Sequence, residues 1–73
     1  MEIKDFTSNK VKEIREEKLI SRSELAQMSS LSISTINRIE QGKAQPSLTT
    51  MRKILNALGV PRERKEMVFP IMQ

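Results

Sequence analysis

Residues 33–41, ISTINRIEQ, hold the side chains of this chain best suited to binding chemistry. At 100° per residue, Ile33, Ser34, Asn37, Arg38 and Gln41 fall within one arc of about 140°, with Ile36 and Ile39 on the far side. Arginine offers paired donors to guanine, asparagine matches the donor and acceptor of adenine, and an aliphatic group packs on a thymine methyl. A helix with this face can be held by its isoleucines while Ile33, Ser34, Asn37 and Arg38 meet base edges in a DNA groove. Around it, Ser21 and Arg22 begin an earlier helix whose amides and positive dipole end suit a phosphate. Ser32, Gln41 and Lys43 flank the ends of the reading helix and complete the expected phosphate contacts, which fix register rather than sequence. Plainer alternatives stand beside these readings. Ile33 could be core or interface, Arg38 a solvated cation, Asn37 a polar surface residue, and Ser21 a helix cap only.

Catalytic chemistry finds no such support. The chain has no histidine, cysteine or tyrosine, and no glycine-rich phosphate loop. Glu16 and Glu17 are adjacent and point about 100° apart on a helix, so they cannot cooperate as an acid and a base. The serines have no base to activate them. We therefore expect a protein that is not an enzyme, with no metal, no cofactor and no evident small-molecule ligand.

Helices must position these groups, and the punctuation for them is dense. A first helix is expected from about Asn9 to Lys18, capped by Ser8 or Asn9, with Val11, Ile14, Arg15 and Lys18 on one face. Arg15 beside an apolar stripe needs a carboxylate partner. Ser21 and Glu24 form a capping box for a second helix over about 22–29, with Leu25, Ala26 and Met28 inward. Leu31, in the polar break that follows, reads as a core plug. Ser32 caps the third helix, about 33–41, and Gly42 stops it. Ser47 caps a fourth, in which Leu48, Met51, Ile54, Leu55 and Leu58 form an apolar stripe that Gly59 ends. Pro61 suits the start of a fifth helix, Arg62 to about Val68. The expected fold class is all-α, five helices around an aliphatic centre. The expected organisation is an N-terminal arm (1–8), the helical domain (9–69) and a tail (70–73).

Composition fits that size of fold. A chain of 73 residues is at most one domain and buries only about 60% of its unfolded surface. Without cysteine, nothing staples it, and Phe6 and Phe69 are the only aromatics. The net charge of +4 favours a polyanion without naming one. No apolar run is long enough for a membrane span and the first residues lack a signal-peptide pattern, so a cytoplasmic setting is expected.

The ordered set Ile14-Arg15, Ser23-Glu24-Leu25-Ala26, Leu31-Ser32, Ser34-Thr35-Ile36, Arg38-Ile39-Glu40-Gln41-Gly42-Lys43, Pro46-Ser47-Leu48 and Leu58-Gly59-Val60 resembles the Cro/C1-type helix-turn-helix domains of phage repressors and bacterial xenobiotic-response-element-type regulators. The likeness spans Lys12 to Val60, about two thirds of the chain. It implies a compact, lambda-repressor-like domain whose third helix lies in the major groove of double-stranded DNA. It also implies a structural ion pair between Arg15 and Glu40, whose loss of one partner would cost about 3–5 kcal/mol. Two positions depart from the pattern. Ser30 stands where relatives usually have glycine, so either a left-handed residue there costs roughly 1–2 kcal/mol or the turn is reshaped. Ile33 stands where relatives often carry glutamine or arginine, which shifts direct readout to Ser34, Asn37 and Arg38.

Arg52, Lys53, Arg62, Arg64 and Lys65 read as solvated faces, with Glu63 and Glu66 interleaved in the last cluster. The segment Met67-Val68-Phe69-Pro70-Ile71-Met72 is apolar at a chain end. Three readings remain open for it: closure of the core, pairing of two copies through Met67, Phe69, Ile71 and Met72, or a mixture with Phe69 packed inward and Ile71 and Met72 exposed. A homodimer would read two half-sites of a palindromic operator about 34 Å apart. The expected function is sequence-specific DNA binding by a bacterial or phage transcriptional regulator. The alternatives are an antitoxin or restriction-controller protein that also holds a protein partner, or an interaction module without DNA binding.

Overall fold

The computed structural model describes residues 9–70. Four α-helices follow one another, α1 (Val11–Glu17), α2 (Arg22–Ser29), α3 (Ile33–Glu40) and α4 (Leu48–Leu58), and a 3-10 helix (Arg62–Met67) closes the series. No strand occurs among the described residues. The expected arm 1–8 and most of the tail, Ile71 and Met72 included, lie outside them.

Three of the helices start on serine, and the chemistry is the same each time. The Ser21, Ser32 and Ser47 hydroxyls accept the backbone N–H of Glu24, Thr35 and Thr50, which satisfies a donor the helix cannot pair internally. At Ser21 the box is complete, because its own N–H donates to Glu24 Oε1 at 2.8 Å. α1 begins two residues later than expected and its cap residue, Lys10, makes no side-chain bond. Asn9 acts from one position earlier, its Oδ1 accepting the Val11 N–H at 3.1 Å.

α2 packs on both α3 and α4, and α1 packs on α3. The core between them is aliphatic: Val11, Leu25, Ile36 and Ile54 are fully buried, with Ile39, Leu55 and Leu58 nearly so. Leu31 is half-buried against this cluster, which suits a residue that sets the angle between α2 and α3. Val68 and Phe69 are fully buried, and the Lys10 N–H donates to the Val68 carbonyl at 2.7 Å. The end of the described chain therefore closes over the start of α1.

Several expectations need correction. Met28 is 53% exposed and Ser29 is buried in its place. The step from Leu25 to Met28 turns 60° backward, whereas Ser29 lies only 40° from Leu25, and its hydroxyl is satisfied by the Leu25 carbonyl at 2.6 Å. Leu48 is 75% exposed; at the first position of α4 it flanks a surface groove with Arg62 and Lys65 instead of entering the core. Lys18 lies past the end of α1 and is exposed. The expected fifth helix is present, one residue shorter and as a 3-10 helix with a break at Arg64 (φ −112°, ψ 28°). None of its six residues is buried, so no apolar stripe holds a regular α-helix there, and short 3-10 pieces are what such segments adopt.

Ser30 has φ 60° and ψ 35°. The turn keeps the left-handed geometry that relatives fill with glycine, so the strain of about 1–2 kcal/mol applies. Leu19, between α1 and α2, adopts the same region (φ 59°), which its residue type does not foretell.

Candidate nucleic-acid interface

The outer face of α3 is built as the helical count requires. Ile36 and Ile39 face the core at 0% and 1% exposure, while Ile33 is 51% exposed. Ser34, Arg38, Gln41 and Lys43 are exposed, and Asn37 is half-buried. Gln41 Nε2 donates to Asn37 Oδ1 at 3.3 Å. That bond leaves the Asn37 amide donors and one carbonyl lone pair open, enough for a base edge that presents both a donor and an acceptor. The Lys43 N–H donates to the Arg38 carbonyl at 2.8 Å after Gly42 (φ 75°), and this tight turn holds Lys43 beside the C-terminal end of α3.

The helix N-termini differ in what they leave available. The Ser21 hydroxyl accepts from Glu24 at 3.0 Å, so its own proton is free to donate to an anion. The Ser32 hydroxyl accepts from the Thr35 N–H at 3.0 Å and donates to Thr35 Oγ1 at 2.9 Å. A phosphate contact through the Ser32 side chain would have to break that second bond, so its backbone is the better donor.

Behind the face lies the ion-pair cluster. Arg15, 6% exposed, donates from Nε to Glu40 Oε2 at 2.7 Å and from Nη2 to Oε1 at 3.3 Å, and from Nη1 to the Ile20 carbonyl at 2.8 Å. Every arm of its guanidinium is engaged, as a buried cation requires. The Glu40 side chain is 1% exposed, so its carboxylate is kept off the outer face of α3. Arg22 is a second partner, with Nε 2.9 Å from Glu40 Oε1 and a side chain 42% exposed. Residue spacing did not reveal this contact, because 18 positions separate its partners. Asn9 adds a further brace, its Nδ2 donating to the Ile39 carbonyl at 2.9 Å. The acid of α3 is thus withdrawn from the surface and the helix is tied to α1 and α2.

The C-terminal region is different. Of the expected dimer contacts, Phe69 is 0% exposed and belongs to the core; burying an aromatic ring of this size closes the domain and leaves nothing for a partner to touch. Met67 is 49% exposed. Arg52, Arg62, Arg64 and Lys65 are exposed. Lys65 Nζ stands 3.4 Å from Glu66 Oε2, and a backbone amide, then Lys65, hold the Glu66 carboxyl below its ordinary pKa. Among the described residues, no group of acids stands close enough to hold a metal ion, and no helix is long and apolar enough to cross a membrane.

Comparison with known proteins matches this geometry. The restriction-modification controller protein C.AhdI from Aeromonas hydrophila, known from a crystal structure, superimposes with a TM-score of 0.74 at 28% sequence identity, over 82% of this chain and 89% of its own. No curated protein sequence matches the chain. The family model described as Helix-turn-helix matches residues 11–64, from the first residue of α1 into the 3-10 helix. The outer face of α3, the isoleucines buried behind it and the ion pair all fall inside that span; the chain belongs to the helix-turn-helix family of DNA-binding regulators, in its Cro/C1-type branch.

Proposed function

We propose that the chain binds a palindromic operator as a homodimer and regulates transcription in a bacterial or phage cytoplasm, with no catalytic role. Residues 9–69 form the DNA-binding domain, between the arm 1–8 and the tail 70–73. α3 enters the major groove, with Ile33 on thymine methyls and Ser34, Asn37 and Arg38 on base edges. Ser21, Arg22, Ser32, Gln41 and Lys43 contact phosphates. The observation that carries the reading is the two-sidedness of α3. Its acid-free outer face, with Ile33 half exposed, is backed by fully buried isoleucines and by a carboxylate held away from solvent.

Titration of a random-sequence duplex at two salt concentrations tests it. With about five phosphate contacts, the slope of log affinity against log salt is near −4 to −5. The double variant Arg22→Ala plus Arg38→Ala loses most of that binding, whereas an interaction module without DNA binding shows no slope. Selection from a random library then yields an inverted repeat with half-sites about one helical turn apart; a single unrepeated site overturns the dimer. With Phe69 in the core, Met67 and Leu48 are, among the described residues, the exposed large apolar side chains of the C-terminal half. Met67→Lys with Leu48→Ser weakens self-association in sedimentation.

The likeness to a restriction-modification controller favours one special form of this function, a controller protein. Its test is a reporter promoter carrying the selected operator, whose output a controller changes and an inert binder does not.

A further inference from the structure

We propose that Glu40 is a positioning residue for DNA binding, holding the Arg22 guanidinium in a fixed orientation for a phosphate of the DNA backbone. The inference rests on the reading of Arg22 as a phosphate contact.

Two guanidinium groups converge on one carboxylate, and they are not equivalent. Arg15 is buried, with every arm engaged. It alone supplies a bonded cation to both Glu40 oxygens, so neutralising the carboxylate does not require a second arginine. Arg22 meets Glu40 through Nε only, at 2.9 Å, and among the described residues its two Nη groups have no hydrogen-bond partner. Two cations against one anion leave one positive charge in excess. The arginine that carries it to the surface is Arg22, with 42% of its side chain exposed.

A free arginine side chain populates many rotamers, and a binding partner must select among them. Anchoring Nε to a buried carboxylate removes most of that freedom and leaves the two Nη groups as a planar fork, the geometry that matches phosphate oxygens. The same contact ties the first residue of α2 to the last residue of α3. The phosphate-facing group therefore moves as one body with the helix that reads bases.

The test uses the full chain and a short random-sequence duplex, at a temperature where thermal melting shows each variant folded. Arg22→Lys keeps the charge and removes the Nε anchor. Affinity should fall about tenfold while the salt slope stays that of the unaltered chain. Arg22→Gln removes the charge, and the slope should become shallower by about 0.9. Glu40→Gln, where folded, also loosens the tie to Arg15, so it should weaken binding in both backgrounds, but several-fold less in the Arg22→Gln background than in the original chain; equal losses in the two would overturn the positioning role. A lysine variant that binds as well as the original chain overturns the proposal, since charge alone would then suffice. Should Glu40→Gln fail to fold, the lysine and glutamine variants decide between them. A slope unchanged in Arg22→Gln overturns the phosphate contact as well. Absence of any salt-sensitive binding by the unaltered chain overturns the DNA reading itself.

Discussion

The α2–α3 pair and the α4–3-10 pair are secured by different forces. The buried Glu40 carboxylate at the end of α3 holds Arg22 at the start of α2 and fastens both helices to Arg15 on α1. These are directed contacts, and they fix orientation. The other pair is closed by apolar burial: Met51, Ile54, Leu55 and Leu58 of α4 share one core with Val68 and Phe69, while the 3-10 helix has no side-chain cap and no buried residue. Burial is non-directional. The difference teaches that the half that must present a face at a defined angle is locked by polar geometry, whereas the half that only seals the core is not.

If that division holds, the largest loss of stability comes from the apolar end. Phe69→Ala should lower unfolding free energy by about 3–5 kcal/mol, read by urea denaturation. Phe69→Leu, costing under about 1.5 kcal/mol, supplies a folded variant whose DNA affinity should match the original; a weakened Phe69→Leu would break the comparison. Next is Arg15→Met, at about 3 kcal/mol, the lower end for breaking a buried pair, because Arg22 still contacts Glu40. In contrast to Phe69→Leu, it should also weaken DNA binding in the protein that remains folded, since α3 loses its tie to α1.

What was legible in the sequence follows the same line. The starts of α2, α3 and α4 could be read because a cap acts on a residue three positions away, within one turn. The buried and outer sides of α3 could be read because an α-helix repeats regularly; Ile33, Ile36 and Ile39 fall where that repeat puts them. Met28 and Leu48 were misplaced at the edges of their stripes, where side-chain direction and neighbouring elements decide burial. The 3-10 geometry of Arg62–Met67 was missed because a proline and a run of charges mark a helical start equally well for either helix type. For the candidate site, the arc of candidate contact residues came from periodicity alone. The Arg22–Glu40 contact did not, since only the packing of α2 against α3 brings together residues 18 positions apart.

Smaller changes sharpen the comparison. Ser32→Ala removes the cap of α3 and should cost about 1 kcal/mol. The variant should lose more DNA affinity than Ser47→Ala, which removes the same kind of cap from α4. Equal losses would mean that capping acts only through overall stability and not through the angle of α3.

The smallest expected effect is a gain. Ser30 holds a left-handed backbone, φ 60°, at the joint between α2 and α3. Ser30→Gly relieves strain of about 1–2 kcal/mol and adds unfolded-state freedom worth roughly 0.5–1 kcal/mol, so stability should rise by about 0.5–1 kcal/mol. The local bonds do not depend on the side chain: the Ser30 N–H donates to the Gln27 carbonyl at 3.3 Å, and the Leu31 N–H to the Ala26 carbonyl at 2.9 Å. Leu19→Gly (φ 59°, 90% exposed) should give a similar gain at the α1–α2 joint. If Ser30→Gly stabilises the fold while DNA affinity falls, the serine was holding the angle between the two helices. If affinity is unchanged, that angle is set by Leu31 and the Glu40 cluster, as the division between the two regions requires.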